Sequence, residues 1–328
     1  MKLIWKDVLT AAFLGLIFPG ILLNAAVSVL EEPVWAAEAV ETEPMETGTE
    51  DIRQPMRLRY PGGIVAEEDM DRYLTGVLLA EMPASFEPEA LKAQSVAART
   101  YTQRSIETGG KHGDGSVCTQ SGCCQAYLTE EAYLARGGIR ENIEKVSMAV
   151  AATSGQVLTF EDTLIEATYF SCSGGYTEDA VAVWGTEIPY LQSRPSLGEE
   201  QSPAYVDTVC YTPREFQNAL GVMLEGPPER WFGAVTYTEG GGVELMDIGG
   251  LPYTGTQLRS LLALRSTAFT VSASEEGIYI TTRGYGHRVG LSQYGANAMA
   301  LRGSSYGEIL AYYYPGTVLA TIEQRKMA

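Results

Sequence analysis

Glu81 is a carboxylate where the periodicity of its helix asks for an apolar side chain. The stretch Asp69–Glu81 reads as one helix, with Met70, Tyr73, Leu74, Val77 and Leu78 on a single stripe. Glu81 is the next position on that stripe. Met82 and Pro83 follow, and the residue before a proline is pushed out of the helical region. The last turn therefore carries a carboxyl on its inward face. A carboxyl against apolar surface keeps its proton to higher pH, because desolvation penalises the anion. A general acid needs that property near neutral pH. A frayed helix end with Glu81 turned into water is the plainer alternative. Lys92, Arg99 and Tyr101 on the next helix complete this first group.

Three further groups could carry chemistry. His112, Cys118, Cys123 and Cys124 follow one another in steps of six, five and one. This is not a standard zinc-finger spacing. Yet imidazole and thiolate together suit zinc, four to an ion in a closed structural site. The Gly- and Ser-rich loop around them, Gly109 to Gln125, has little apolar matter to organise it, and a metal would fold it. A disulfide within the cluster is the competing possibility. Phe170 to Gly175 is a strand end running into Ser171, Ser173 and paired glycines, which offers hydroxyls and close backbone approach, or simply a turn. Gly284 to Gly295 places glycines around His287, then Ser292 as a helix cap with Gln293 and Tyr294 in the first turn. Such a loop suits sugar hydroxyls and faces. A Ser/His/Asp triad built on His287 lacks a G-x-S-x-G elbow.

The elements that position these groups are mixed. Met56 to Tyr60 alternates like a strand. A second helix opens at Pro88 and carries a stripe of Ala90, Ala93, Ala97 and Ala98 against which something packs closely. Two short helices follow, the second near Glu141–Thr153, with Gly155 as a left-handed cap. Gln156–Phe160 and Leu164–Phe170 have strand periodicity. Thr212 with Glu215, and Ser305 with Glu308, form capping boxes. Residues 233–282 hold strand-like runs and one helix, Gln257–Leu264. A helix starts at Ser292, and the last ends at Pro315-Gly316. The reading is α+β, a mixed helical and antiparallel-strand ectodomain with a central groove.

The chain has 328 residues and a net charge of −18, which argues against nucleic acid as a partner. No charged residue occurs from Val8 to Leu30, and Lys2 and Lys6 precede that run. Residues 1–30 are read as a transmembrane anchor with the remainder outside the cytoplasm, residues 31–56 as an acidic linker, and residues 57–328 as the ectodomain. A cleaved signal peptide is the alternative, given the small residues at Ala25-Ala26-Val27 and Trp35-Ala36-Ala37. Five cysteines leave one over from any disulfide set, so metal binding by the cluster becomes worth testing.

Gly76 to Tyr101, with Glu81-Met82-Pro83-Ala84 and the run Ala90 to Tyr101, resembles the signature of the stage II sporulation protein D family, related to the amidase enhancer LytB. Tyr169-Phe170-Ser171, Ser173-Gly174-Gly175 and Val183-Trp184-Gly185 fit the middle of that family. Gly284–Asn297 and Tyr312–Gly316 fit its C-terminal signature. The resemblance spans about residues 57–320. It implies a membrane-anchored lytic transglycosylase of endospore formers, in the mother-cell membrane facing the forespore. It would cut MurNAc–GlcNAc bonds of peptidoglycan strands already stripped of stem peptides by a partner cell-wall amidase, during engulfment. The implied catalytic acid is Glu81. Lys92, Arg99, Ser171, Ser173, His287, Gln293 and Tyr294 would contact the glycan. His112, Cys118 and Cys124 fall on the zinc site of some members, with Cys123 where those have a second histidine. Cys172 stands where the family usually has Thr, and Arg288, next to His287, where it usually has Gly, a departure expected to alter the groove's charge. A hydrolase would want two carboxylates about the bond. A lytic transglycosylase manages with one, since the sugar's own 6-hydroxyl attacks and leaves a 1,6-anhydro end. Two rivals remain: a non-catalytic glycan module that enhances an amidase, and a zinc hydrolase.

Overall fold

The computed structural model describes residues 54–327. The expected anchor and nearly all of the expected linker lie outside those residues. Among the described residues no helix is long and apolar enough to cross a membrane. The first strand, Pro55–Arg59, starts inside the expected linker and buries alternate residues, Met56 and Leu58.

Helices and small, mostly antiparallel sheets are interspersed along the chain, consistent with α+β. The first helix, Met70–Glu81, begins where Asp69 accepts from the Asp71 and Arg72 amides. Its whole apolar stripe is buried as the sequence predicts. It ends at Met82, which is extended at φ −132°, as a residue before proline should be. The second helix, Pro88–Glu107, is the central strut. Its alanines let the first helix, the helix Arg140–Ala151, the strand Gln156–Phe160 and two C-terminal helices, Gln293–Leu301 and Tyr306–Tyr313, come close to its axis. The expected strand Leu164–Phe170 breaks into Thr163–Leu164 and Tyr169–Phe170. Only the latter reaches the site, where it runs parallel to Leu291–Ser292. The predicted helix Gln257–Leu264 is Gly255–Leu261, displaced toward its N-terminus because Thr254 caps it in a box with Gln257. The Thr212 and Ser305 capping boxes form as predicted.

Two hydrophobic cores are present. The larger surrounds the second helix. The smaller lies between two three-stranded sheets formed within residues 206–283 and is built on Phe216, Trp231, Ile248, Leu258, Ile278 and Ile280. Arg288 and Glu178 clamp that second unit to the first. Arg288 Nη1 donates to Glu178 Oε1 at 3.0 Å, and the same oxygen accepts from the Thr238 hydroxyl and the Gly242 amide. Arg288 is 2% exposed and has a left-handed φ of 67°, the conformation that explains glycine at the matching family position. The groove charge expected from Arg288 is therefore absent, because the ion pair consumes it.

Arg99 also departs from expectation. It does not face a ligand but is wholly buried, donating to Asp71 at 2.7 Å and to the carbonyls of Thr153 and Val150. It ties the first helix to the end of the helix Arg140–Ala151. Its Nε finds no acceptor among the described residues, but its terminal nitrogens meet Asp71 and two buried carbonyls, and removal of the arginine leaves those carbonyls unpaired. Arg99→Ala should lower unfolding free energy by about 3 kcal/mol. Asp71→Asn should cost less, since Asp71 is 30% exposed. Urea midpoints test this, and a loss for Arg99→Ala no larger than for Asp71→Asn would refute it.

Candidate active site and metal cluster

Glu81 is half-buried, and the segment Gln125–Leu128 covers it. The Ala126 amide donates to Glu81 Oε1 at 2.9 Å. That segment is docked at three points. Leu128 N–H donates to the Gly76 carbonyl at 3.0 Å. Gly76 is required there, because a Cβ would collide with the Tyr127 ring and the Leu128 carbonyl. Gln125 spans three elements, donating to the Tyr73 hydroxyl and Thr102 Oγ1 and accepting from the Tyr169 hydroxyl at 2.8 Å. Burial raises the Glu81 pKa above the ordinary glutamate value, and the Ala126 amide only partly reverses this. Burial likewise lifts the Tyr169 phenol well above its usual range, and the Glu81 charge adds to the effect. The Tyr169 phenol thus stays neutral within reach of the Glu81 charge. No neighbouring charge contributes to the Glu81 shift.

The Cys loop leads straight into this segment. The ligand atoms of His112, Cys118, Cys123 and Cys124 lie within 4.8 Å of one another. His112 Nε2 is 3.7 Å from both the Cys123 and Cys124 sulfurs, which are 3.9 Å apart. A tetrahedral ion with sulfur bonds near 2.3 Å would have S···S edges of about 3.8 Å. The donor set and spacing therefore fit a four-coordinate zinc, and the adjacency of Cys123 and Cys124 is no obstacle. All five cysteines are free thiols, so the cluster holds no disulfide, and Cys172 and Cys210 do not pair. Burial opposes ionisation of Cys118, but the Gln120 amide, His112 and the neighbouring thiols outweigh it and bring its pKa to about 7. Burial pushes Cys124 up to about 12.

The remaining predicted residues divide into two sets. Ser171 and Tyr294 come together: the Tyr294 amide donates to the Ser171 carbonyl, and both line a cavity of about 530 Å³ with Tyr285 and Arg265. Tyr294 is braced edge-on by Phe86 at 4.9 Å. His287 lies between Phe170 and Trp184, its ring 5.6 Å from each. Burial, with the Arg259 guanidinium beside it, lowers His287 to about 4, so it is neutral at pH 7. Gln293 is buried with its amide nitrogen unpaired.

Three residues are used internally instead. Arg99 is the buried tie described above. Ser173 is wholly buried and donates to Glu199, an anion that also accepts from the Ser173 and Gly174 amides and from Ser196 and Ser292. Lys92 is paired with Glu89 at 2.7 Å and lies over the Tyr306 ring. These side chains hold elements together, each paired with a partner inside the protein. Gln125, Ala126 and Tyr169 were missed as site residues. Only Tyr169 carried a signal, as part of the quoted Tyr169-Phe170-Ser171 motif.

A family model described as stage II sporulation protein matches residues 62–160. The chain is 38% identical over 291 residues to stage II sporulation protein D of Bacillus subtilis (strain 168), spanning 86% of this chain and 84% of that protein. It is 40% identical over 252 residues to the protein of the same name from Bacillus amyloliquefaciens, with 75% and 73% covered. An amidase enhancer of Bacillus subtilis (strain 168) is 30% identical over 301 residues, with 76% of this chain and 40% of that protein covered.

The Glu81 environment has a thermodynamic signature. Its folded pKa is raised above the unfolded value, so stability is lost as pH rises through that interval and the cost is complete above it. Glu81→Gln removes the cost. By calorimetry the variant should melt higher than wild type at pH 7, and the gap should close below about pH 4. A wild type at least as stable at pH 7 would contradict the assigned environment.

Proposed function

The chain belongs to the stage II sporulation protein D family, and on that footing we propose that it is a lytic transglycosylase. Its substrate is the peptide-stripped glycan of peptidoglycan, cut between MurNAc and GlcNAc during forespore engulfment. The observation that carries this reading is one half-buried carboxyl, Glu81, with a raised pKa to which no other charged group among the described residues contributes. The protonated Glu81 gives its proton to the glycosidic oxygen as the C1–O bond breaks. The same sugar's 6-hydroxyl bonds to C1, and its proton returns to Glu81. The residue thus finishes the turnover protonated, as it began. The Ala126 amide holds the carboxyl still, and Tyr169 holds Gln125 beside it in the chain. Tyr294, Ser171 and Trp184 supply a hydroxyl and aromatic faces of the kind that sugars stack against.

The cluster of His112, Cys118, Cys123 and Cys124 is assigned to structural zinc. Four protein ligands leave no open position, which disfavours a zinc hydrolase. When bound, the ion would fix the loop that runs into Gln125 and Ala126. The likeness to an amidase enhancer supports a second reading, in which the protein binds glycan and stimulates a partner amidase without cutting. The uncharged run at Val8–Leu30 supports a single-pass anchor in the mother-cell membrane.

Purified full-length chain, with no amidase present, should release 1,6-anhydro ends from denuded glycan. Glu81→Gln should lower kcat at least 100-fold with little change in KM, in keeping with loss of general acid catalysis. Product at the wild-type rate from Glu81→Gln rejects the mechanism, and absence of product from wild type favours the enhancer reading. Metal analysis should find about one zinc per wild-type chain and much less in Cys118→Ser. Equal and negligible zinc in both would end the metal assignment.

A further inference from the structure

Two arginines outside the predicted site stand at the two ends of one turn: Arg265 lines the cavity with Ser171 and Tyr294, and Arg259 lies six residues earlier on the helix that leads into it. Arg259, on the helix Gly255–Leu261, is partly buried, yet among the described residues its guanidinium has neither a hydrogen-bond nor an ion-pair partner. Its charge is felt by His287, and the Tyr285 hydroxyl in turn favours the charged form of Arg259. Arg265 lines the cavity. Its Nε is 3.1 Å from Asp207 Oδ2, and its guanidinium carbon lies 5.8 Å from the Tyr285 ring centre. Among the described residues the terminal nitrogens of Arg265 carry no hydrogen bond. The Arg265 guanidinium thus lies over Tyr285, whose hydroxyl also senses the Arg259 charge, and among the described residues Asp207 is the one carboxylate paired with either arginine.

The presentation of these cations is fixed by the backbone. The Leu264 amide donates to the Arg259 carbonyl at 2.9 Å, and the Gly286 amide donates to the Arg265 carbonyl at 3.0 Å. The second bond ties the turn to the loop that carries His287. Ala263, between the two arginines, takes a left-handed φ of 47°, a cost that a non-glycine residue bears where the turn must be held in one shape. The cavity is also close in the chain to the neighbours of the acid. Ser171 lines it and stands in the bend directly after the strand Tyr169–Phe170, and the Tyr169 phenol senses the Glu81 charge.

Arrayed this way, an unpaired guanidinium, a half-paired one, an exposed tyrosine ring and serine hydroxyls suit a sugar that bears a carboxylate. Building on the glycan reading above, we infer that Arg259 and Arg265 form an anionic subsite that binds the free lactyl carboxylate of a muramic acid. The group is an anion only where the stem peptide has been removed. In an intact strand the same carbonyl is tied up in an amide, which is neutral, and the attached peptide must fit between the two arginines. The subsite would thus be the device by which the protein tells stripped glycan from unstripped.

The test measures binding in the full-length Glu81→Gln chain, so that no turnover is needed. The probes are denuded glycan strands and the same strands with their carboxyls converted to methylamides. Denuded strands should bind about tenfold tighter, the scale of a charge-assisted contact to a carboxylate. Adding Arg259→Gln or Arg265→Gln should bring that ratio toward one, and Arg259→Lys should retain part of the preference. Melting curves for each variant establish that it is folded. Equal affinity of the Glu81→Gln chain for both strands, or an undiminished preference in folded Arg259→Gln and Arg265→Gln chains, would overturn the subsite. Failure of the glycan-cutting reading shows elsewhere, as absence of anhydro ends from the wild-type chain, and leaves this binding ratio measurable.

Discussion

The hydrogen bond from the Ala126 amide to Glu81 joins two parts of the molecule that are stabilised in different ways. Glu81 ends a helix whose apolar stripe is fully buried, so its backbone is fixed by the core. Ala126 belongs to a loop region with little apolar content of its own. Without the loop, the carboxyl would face water and titrate as an ordinary glutamate. With it, desolvation exceeds what one amide returns, and the proton is held more tightly. The loop in turn depends on Gln125, on the absence of a side chain at Gly76, and on the clustered thiols and imidazole just upstream. A metal at that cluster would act on Glu81 from a distance, by deciding how firmly Ala126 is placed.

Buried polar groups do much of the remaining assembly. Glu199 gathers donors from the strand end at Ser173, from Ser196 and from the cap residue Ser292. Arg288 and Glu178 join the two cores, and Arg99 joins two helices. In each case a charged group removed from water is met by several partners, which is the condition under which such burial is tolerated. Glu178 and Arg288 show the limit of this scheme: Glu178 Oε2 remains without a partner, and burial raises the carboxyl's pKa despite the adjacent guanidinium. The clamp therefore contributes more to geometry than to net stability. Its value is that it fixes residues 206–283, and with them Arg259 and Arg265, relative to the loop around His287.

Much of this was legible in the sequence where the signal is local. Helical periodicity placed Glu81 on the inward face, and the proline after Met82 ended its helix on time. Capping boxes at Thr212 and Ser305 located helix starts because both partners lie within one turn. The four clustered metal-type ligands were visible because three of them lie within seven residues of one another. What the sequence could not show is the internal use of Lys92, Arg99, Ser173 and Arg288. A polar residue in a motif reads the same whether it faces a substrate or a buried counter-charge. The partners that decide the matter, Glu89 apart, are distant in the chain: Thr153 for Arg99, Glu199 for Ser173 and Glu178 for Arg288. Ala126 was invisible for a related reason, since it acts through an amide that every residue but proline possesses.

Net charge is a poor guide to what such a molecule recognises. With 41 acidic and 23 basic residues, the chain should be repelled by a polymer of free muramic acids. Screening confines that repulsion to about 8 Å at physiological ionic strength. Around Tyr285 the local charges differ from that total: the Arg265 guanidinium, shared with Asp207, lies 5.8 Å from the ring centre, the Arg259 charge is felt there, and His287 is kept neutral. Neutral His287 matters to this balance. Were it protonated it would add a third positive charge at an apolar contact with Phe170 and Trp184, where burial makes charge costly. Burial keeps it neutral and the Arg259 charge adds to that effect, so the cation that would draw a carboxylate also helps preserve the uncharged ring against which a sugar face could rest. On the proposed chemistry, anion recognition and apolar stacking are then set by local burial and the placement of a few groups rather than by the protein's overall charge.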